Sequence, residues 1–259
     1  MKRVPIHVLL MGESGIGKDT FAATFPKPML VMHLDGFGQE LPYMDDAVAI
    51  SELLEYSIGN IKIRYRDIQR QDGFVRVEYY SSDDPEKPSV SAALAARIRV
   101  LAGDTTWQTL CCGSLSSAAL EGRLYEQFVV NPSYKDPRKW YGAATEYVER
   151  LIMMQKALPY NVVFMCHVGK DRDEMDGSLV YTPDLPGRLS YSAARYFNEM
   201  YRIYVPYQDG KPLIDQQTGK TMRFLQTDHD GRYQSKTHIK APSPCYPHYE
   251  SLWQNWDKK

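Results

Sequence analysis

Four residues near the start of the chain have the types and the spacing needed to hold phosphate groups. Gly12, Gly17 and Lys18 fit the pattern G-x-x-x-x-G-K, and Gly15 adds a third glycine inside it. Glycine allows tight backbone turns that direct N–H groups inward around an anion. The lysine adds a mobile positive charge for the β- and γ-phosphates of a nucleotide. The pattern therefore predicts a nucleotide-phosphate site; the alternative is a glycine-rich turn that ends in a surface lysine.

The residue after the lysine departs from this pattern. The pattern requires Ser or Thr there, because that hydroxyl is a ligand of Mg²⁺. Here the residue is Asp19, and Thr20 comes one place later. A carboxylate can bind Mg²⁺, but it also repels the phosphates. We therefore predict Asp19 as a metal ligand and expect the departure to affect catalysis more than phosphate binding.

The predicted nucleotide contacts form one continuous run between two elements. Residues 6–11 are apolar and predict a buried strand, and residues 19–25 favour a helix. A helix that begins there directs its positive end at the bound phosphates. The predicted contact residues are Gly12, Glu13, Ser14, Gly15, Ile16, Gly17, Lys18, Asp19 and Thr20.

Apolar runs and helical patterns alternate along the rest of the chain. The runs predicted as strands are 29–34, 61–65, 74–80, 107–112, 161–166, 200–207 and 222–226. The segments predicted as helices are 51–56, 89–102, 115–130, 143–158 and 190–197. This alternation is typical of an α/β domain with a mostly parallel sheet, helices on both faces and, here, antiparallel strands late in the chain.

Polar or glycine residues follow three of the predicted strands. Asp35 follows the second strand, Gly113 and Ser114 follow the run at 107–112, and His167 follows the run at 161–166. Because the carboxyl ends of parallel strands meet at one edge of a sheet, we expect these residues to converge on the phosphate site.

Composition limits the class of protein. At 259 residues the chain is long enough for one sizeable domain, predicted at 1–240, and residues 241–259 form a tail rich in Pro and Tyr, expected to pack irregularly on the surface or against a partner. The net charge of −1 indicates no general affinity for nucleic acid, so any such surface must be local. The four cysteines lack zinc spacing, and adjacent Cys111 and Cys112 are expected as buried thiols, which fits a cytoplasmic location. No signal peptide or membrane span is expected.

Several stretches in order resemble the RecA-like ATPases of phages, in the single-strand-annealing group. They are G-E-S-G-I-G-K-D-T at 12–20, L-D-G-F at 34–37, T-L-C-C-G-S-L at 109–115, N-V-V-F-M-C-H-V at 161–168, Y-T-P-D-L-P-G-R-L at 181–189 and D-G-R-Y-Q-S-K-T at 230–237. The resemblance spans about residues 5–240. It implies a RecA-like P-loop core, ATP and Mg²⁺ as cofactors, single-stranded DNA as a partner and assembly into a homo-oligomer.

The resemblance also implies roles for three residues outside the phosphate pattern. Asp35 would orient or activate the attacking water, although Asp-Gly is also a common turn pair. His167 would sense the γ-phosphate, and the alternative is a histidine that only bonds to the backbone. Lys236 would reach into a neighbouring subunit's site, with Arg232 and Lys240 as alternatives and an ordinary solvated basic surface as the other interpretation.

One position departs from the family pattern. The family has an aspartate after the strand at 107–112, which holds Mg²⁺ through water, but this chain has Gly113 followed by Ser114. Either Asp19 compensates for the missing carboxylate or the metal site has decayed. Slow or lost hydrolysis is therefore expected.

A local candidate for DNA contact lies between two predicted helices. Residues 134–141 combine three cations and three aromatic rings in eight positions. Aromatic rings stack on bases and cations bind backbone phosphates, which suits single strands. The predicted DNA-binding residues are Lys135, Arg138, Lys139, Trp140 and Tyr141. The alternative is an ordinary loop in which Trp140 and Tyr141 anchor the next helix.

Three functions remain open at this point. The first is an ATP-binding recombination protein of the RecA-like kind that anneals or binds single-stranded DNA, with ATP hydrolysis undecided. The second is a P-loop protein without hydrolysis that acts as an interaction or regulatory module. The third is a small-molecule kinase, which needs an arginine-rich lid and an acceptor-binding motif such as D-R-x; Arg172, in the stretch K-D-R-D, is the nearest candidate.

Overall fold

The computed structural model describes residues 4–35, 41–82, 84, 86–172 and 177–255. The strands are β1 (His7–Met11), β2 (Met29–His33), β3 (Ala47–Ile50), β4 (Leu54–Ile58), β5 (Ile61–Arg70), β6 (Gly73–Tyr79), β7 (Thr109–Gly113), β8 (Asn161–Cys166), β9 (Val168–Arg172), β10 (Leu179–Pro183), β11 (Glu199–Tyr204), β12 (Tyr207–Gln208), β13 (Lys211–Pro212) and β14 (Phe224–Gln226). The α-helices are α1 (Lys18–Ala22), α2 (Leu41–Met44), α3 (Val90–Leu101), α4 (Leu115–Tyr125), α5 (Pro137–Lys156), α6 (Leu189–Ser192) and α7 (Tyr249–Leu252). A π-helical turn, Glu126–Val130, continues α4, and a 3₁₀ turn, Ala193–Tyr196, continues α6.

One large sheet carries most of these strands, in the order β14-β11-β1-β8-β7-β2-β6-β5-β3, with β4 also paired to β5. The six central strands, from β11 to β6, are parallel. Antiparallel strands extend both ends, with β14 at one end and the β3–β5 group at the other. The predicted α/β class with a mostly parallel sheet is confirmed. Two strands, β8 and β7, separate β1 from β2 in the sheet.

Alternating residues of the central strands point to two different apolar layers. In β1, Leu9 and Met11 pack in the layer that holds α3, α4 and α5. Val8 and Leu10 pack in the opposite layer, which holds α1 and α7. Burial on both faces explains why these strands are continuous apolar runs rather than alternating ones.

The last residues that the structure describes belong to the second of these layers. Leu252 and Trp253 are fully buried, and Tyr249 packs its ring against Phe25 at 4.9 Å between centroids. Residues 249–253 therefore pack on the sheet beside α1, and the expectation of surface packing was wrong for them. The boundary at residue 240 stays a prediction.

Three local predictions were also wrong. Residues 51–56 were expected as a helix, but β4 pairs with β5 there. Residues 169–177 are charged and bounded by glycines, which predicts a loop, but β9 pairs with β10 there. Residues 173–176 of this segment lie outside the described part of the chain. Helix α5 begins at Pro137, six positions before the predicted start at 143, because Asp136 caps it and accepts from the Arg138 N–H at 3.0 Å.

All four cysteines are buried and free, as expected for Cys111 and Cys112. Within the described ranges, none of the helices combines the length and the hydrophobicity needed to cross a lipid bilayer.

Candidate functional site

A cavity of about 380 Å³ opens at the carboxyl edge of the central strands. This volume falls in the range typical of small-molecule sites, roughly 300–1,000 Å³. We call it the phosphate cavity. Its lining residues are Ser14, Gly15, Gly17, Lys18, Asp19, Thr20, His33, Asp35, Pro42, Gly113, Ser114, Met165 and His167. The structure thus places the ends of β1, β2, β7 and β8 around one space.

The phosphate loop, residues 12–18, connects β1 to α1. Gly15 and Gly17 have φ values of +71° and +106°, in the region that side chains disfavour. Gly12 allows a close approach, because a Cβ there would lie 2.7 Å from side-chain carbons of both Ile16 and Ile203. The glycines are therefore required by the backbone path and by packing.

The Lys18 side chain forms hydrogen bonds to the backbone of the phosphate loop. Its Nζ donates to the carbonyl oxygens of Gly12 and Glu13, each at 2.9 Å, and the side chain is largely buried. Burial lowers the pKa of Lys18, while nearby carboxylates, led by Asp19, oppose that shift. Because α1 has only five residues, its dipole is short, and the loop N–H groups and Lys18 supply most of the positive potential.

Asp19 is held by two buried side chains that the sequence did not indicate. Tyr43 donates its hydroxyl to Asp19 Oδ1 at 3.2 Å, and His33 Nε2 lies 3.7 Å from the same oxygen. Both partners are almost fully buried. Burial raises the pKa of the Asp19 carboxyl, against the opposing effects of His33 and Tyr43. The carboxylate therefore costs free energy to ionise in the fold.

Asp35 directly follows Leu34 at the end of the β2 segment and is exposed to the cavity. Its Oδ1 accepts from the hydroxyl of Ser117, and from that of Ser114 at 3.4 Å. Ser114 is also the N-cap of α4, since its Oγ accepts from the Ser117 N–H at 3.2 Å. The start of α4 thus orients the Asp35 carboxylate. The adjacent Gly36 and Phe37 of the L-D-G-F stretch lie outside the described residues.

A methionine fills the place where the family pattern has its second metal carboxylate. Gly113 ends β7, level with His33 on β2. A Cβ at Gly113 would lie 2.5 Å from Cε of Met165 on neighbouring β8. The terminal methyl group of Met165 therefore occupies the space where an aspartate side chain at position 113 would begin.

His167 lies at the end of β8 and lines the cavity. Its backbone N–H donates to Ser116 Oγ at 3.2 Å, and its carbonyl accepts from the Asp184 N–H at 2.9 Å. These backbone bonds leave the imidazole available to the cavity.

The structure does not bring Lys236 to this cavity within its own chain. Its backbone pairs with Met200 on β11, and its Nζ donates to the Ala194 carbonyl oxygen. The predicted role in a neighbouring subunit's site stays a prediction.

The predicted DNA segment surrounds the start of α5. Lys135 and Tyr141 are exposed, whereas Trp140 is half-buried. Arg138 is paired with Asp136 at 2.9 Å, and the Lys139 ammonium lies 4.3 Å from the ring centre of Tyr134. Local partners therefore occupy two of the three cations, although both pairs are on the surface.

The residues present fit a sparsely ligated magnesium ion. In the described part of the chain, no group of three or more His, Cys, Asp or Glu side chains has metal-binding geometry. Asp19, Thr20 and Asp35 nevertheless offer oxygen ligands to one cavity. Mg²⁺ commonly takes only one or two carboxylates and completes its shell with phosphates and water. These three oxygen donors fit that kind of coordination, provided that a bound phosphate supplies further ligands.

No model of a known protein family matches the chain, and no curated protein sequence matches it. Among solved structures, the flagellar accessory protein FlaH from Methanocaldococcus jannaschii resembles it, with 10% sequence identity and a TM-score of 0.40. The alignment covers 86% of this chain and 78% of FlaH. A likeness this weak carries no argument about the function of the chain.

Proposed function

We propose that the protein binds ATP in the phosphate cavity and hydrolyses it slowly or not at all. The observation that carries this proposal is the phosphate loop itself, with Gly15, Gly17 and Lys18 lining a cavity at the carboxyl edge of the sheet. Backbone N–H groups and a lysine at such an edge suit the β- and γ-phosphates.

The residues at the two usual positions for metal ligands, Asp19 and Gly113, support slow hydrolysis. Asp19 replaces the usual hydroxyl, and Met165 fills the space beside Gly113. In this proposal Asp19 would hold Mg²⁺ together with the phosphate oxygens. The ion would neutralise negative charge on the phosphates when bound.

Two residues are proposed to act on the γ-phosphate side. Asp35 accepts the hydrogen bonds of two serines, which orient its carboxylate for holding a water molecule. His167 faces the same cavity and would form a hydrogen bond to the γ-phosphate.

A more specific proposal is a role in DNA recombination of the single-strand-annealing kind. In it, copies of the chain assemble, and Lys236 acts across their interface. Exposed Lys135, Arg138 and Tyr141 at the start of α5 support DNA contact. The Arg138–Asp136 pair is on the surface, where ion pairs contribute little, so a DNA phosphate can replace Asp136 at small cost.

The alternative of a regulatory module without hydrolysis is favoured by one observation, the methionine beside Gly113. Calorimetric titration with ATP, with and without Mg²⁺, followed by a hydrolysis assay with single-stranded DNA, separates the two. We expect binding that Lys18→Ala weakens at least about a hundredfold, because that variant loses the charge inside the loop. Wild-type protein that binds no nucleotide would refute the proposal. Binding without turnover would favour the module.

DNA contact is tested with a labelled single-stranded oligonucleotide at several salt concentrations. Each lost phosphate contact reduces the salt slope by about 0.7 for single strands, so Arg138→Ala should reduce it by that amount. Arg99→Ala, at an exposed position on α3, is the matched control. A failure to bind at low salt would remove DNA from the proposal.

A further inference from the structure

Arg223 contacts the phosphate loop without lining the phosphate cavity. It lies directly before β14, and its Nε donates to the carbonyl oxygen of Ile16 at 2.7 Å. Its stem packs on Gly17, because a Cβ at that glycine would lie 3.1 Å from Arg223 Cδ. Nη1 donates to the Thr221 carbonyl at 3.3 Å, which fixes the guanidinium to its own segment.

The bond to Ile16 determines the direction of a second backbone group. The peptide bond between Ile16 and Gly17 is trans. In a planar trans peptide, the C=O of the first residue and the N–H of the second point in opposite directions. A carbonyl of Ile16 that faces Arg223 therefore turns the Gly17 N–H away from Arg223. Gly17 itself lines the phosphate cavity, which Arg223 does not.

We infer that Arg223 is a positioning residue for the phosphate loop, which holds the Gly17 N–H in the orientation that binds a phosphate oxygen. Glycine has the most conformational freedom to lose, so a loop with glycines at 12, 15 and 17 gains affinity when it is ordered before the anion arrives. An arginine suits this role because its guanidinium can donate to two carbonyls at once.

Phosphate binding would change the hydrogen bonds of Lys18 but not those of Arg223. Lys18 Nζ now bonds to the carbonyls of Gly12 and Glu13, and a bound phosphate would compete for it. The bond from Arg223 to Ile16 involves no atom that a phosphate needs, so it persists in the bound state. This consequence for affinity rests on the proposed function, whereas the ordering of the free loop does not.

The test compares Arg223→Met, which keeps the aliphatic packing and removes the donors, with Arg223→Lys, which keeps a donor and the charge. Lys220→Ala, at an exposed position three residues earlier, is the matched control. Two quantities are measured: the ¹⁵N order parameter of the Gly17 amide in ligand-free protein, and the affinity for inorganic pyrophosphate by calorimetry. Thermal unfolding verifies that each variant is folded.

We expect Arg223→Met to lower the Gly17 order parameter from about 0.85 to below about 0.6. Its affinity for pyrophosphate should fall about tenfold, while Arg223→Lys stays within about threefold of wild type. A wild-type order parameter in folded Arg223→Met would overturn the inference, as would unchanged pyrophosphate affinity in that variant. If wild-type protein binds neither pyrophosphate nor ATP, the proposed function fails, and the order parameters still decide whether Arg223 orders the loop.

Discussion

The two sides of the phosphate cavity differ in how far they follow the chemistry of a nucleotide site. The loop side, residues 12–18, has its glycines in left-handed or closely packed positions and a buried lysine. The metal side has a buried carboxylate at Asp19 and a methionine beside Gly113. One side keeps every residue that the phosphate pattern requires, and the other is altered at both positions where Mg²⁺ is usually held.

This difference separates binding from catalysis. Phosphate binding needs fixed N–H groups and positive charge, which the loop supplies through its backbone and Lys18. Phosphoryl transfer also needs charge neutralisation on the phosphates, which depends on the metal. A cavity that keeps the phosphate-binding groups and alters the metal ligands is expected to bind a nucleotide but to hydrolyse it slowly, as proposed above.

The largest expected effect comes from the loop side. Gly17→Ala places a side chain at φ +106° and against Arg223, so we expect nucleotide affinity to fall at least about a hundredfold. Gly59→Ala is the control, since Gly59 has φ +59° with open space around it, far from the loop in sequence. It should lose about 1–2 kcal/mol of stability and keep its affinity. Calorimetry and thermal unfolding measure both. Equal loss of affinity in the two variants would show that the loop glycine has no special role.

The next largest effect is expected from variants that restore a carboxylate at position 113, on the metal side of the cavity. Gly113→Asp alone must displace the Met165 methyl group, which should cost about 1–3 kcal/mol of stability. Adding Met165→Ala opens that space, so the double variant should be less destabilised than the sum of the two single variants. We also expect Mg²⁺ to strengthen its ATP binding about tenfold more than in wild type. Strict additivity together with unchanged Mg²⁺ dependence would contradict the assignment of this space to a carboxylate.

The smallest effect tests the charge of Asp19. Burial raises the pKa of this carboxyl, so lowering the pH toward that pKa neutralises it and removes its repulsion of phosphate. ADP affinity without metal should therefore rise as the pH falls in wild type. In Asp19→Asn this rise should be lost, leaving only the pH dependence of the ADP phosphates, and the affinity for ADP should be about fivefold tighter at pH 7.

The same shift has a consequence for stability. A carboxyl whose pKa is raised in the fold binds more protons when folded than when unfolded, so stability falls as the pH rises through the interval between its ordinary and raised pKa. Asp19→Asn should lack this slope, measured by denaturant unfolding at several pH values. Asp35→Asn, which removes a charge from the same cavity, should retain it. A slope that survives in Asp19→Asn would assign the titration to another group.

Local patterns were enough for much of the fold. The strand at 161–166 and the helix near 89–102 were predicted within about one residue, because apolar runs and a 3.6-residue period are local properties of the chain. The early start of α5 is also indicated by local residues, the N-cap Asp136 and the following Pro137, but the sequence analysis placed the start at residue 143. In contrast, β4 was predicted as a helix because its pairing with β5, which decides its state, is not visible in its own residues.

The candidate site divides in the same way. Residue types and spacing were enough to predict the phosphate loop, because the glycines and the lysine that follows them are the groups that bind phosphate. They also showed that Asp19 and Gly113 depart from the usual metal ligands. The neighbours of those two positions could be found only from the fold: Tyr43 and His33 lie beside Asp19, and Met165 lies beside Gly113. It also placed Arg223 on Ile16, 207 positions away in the chain. Such contacts depend on which strands become neighbours in the sheet, and strand order is set by the packing of the whole domain rather than by any segment of it.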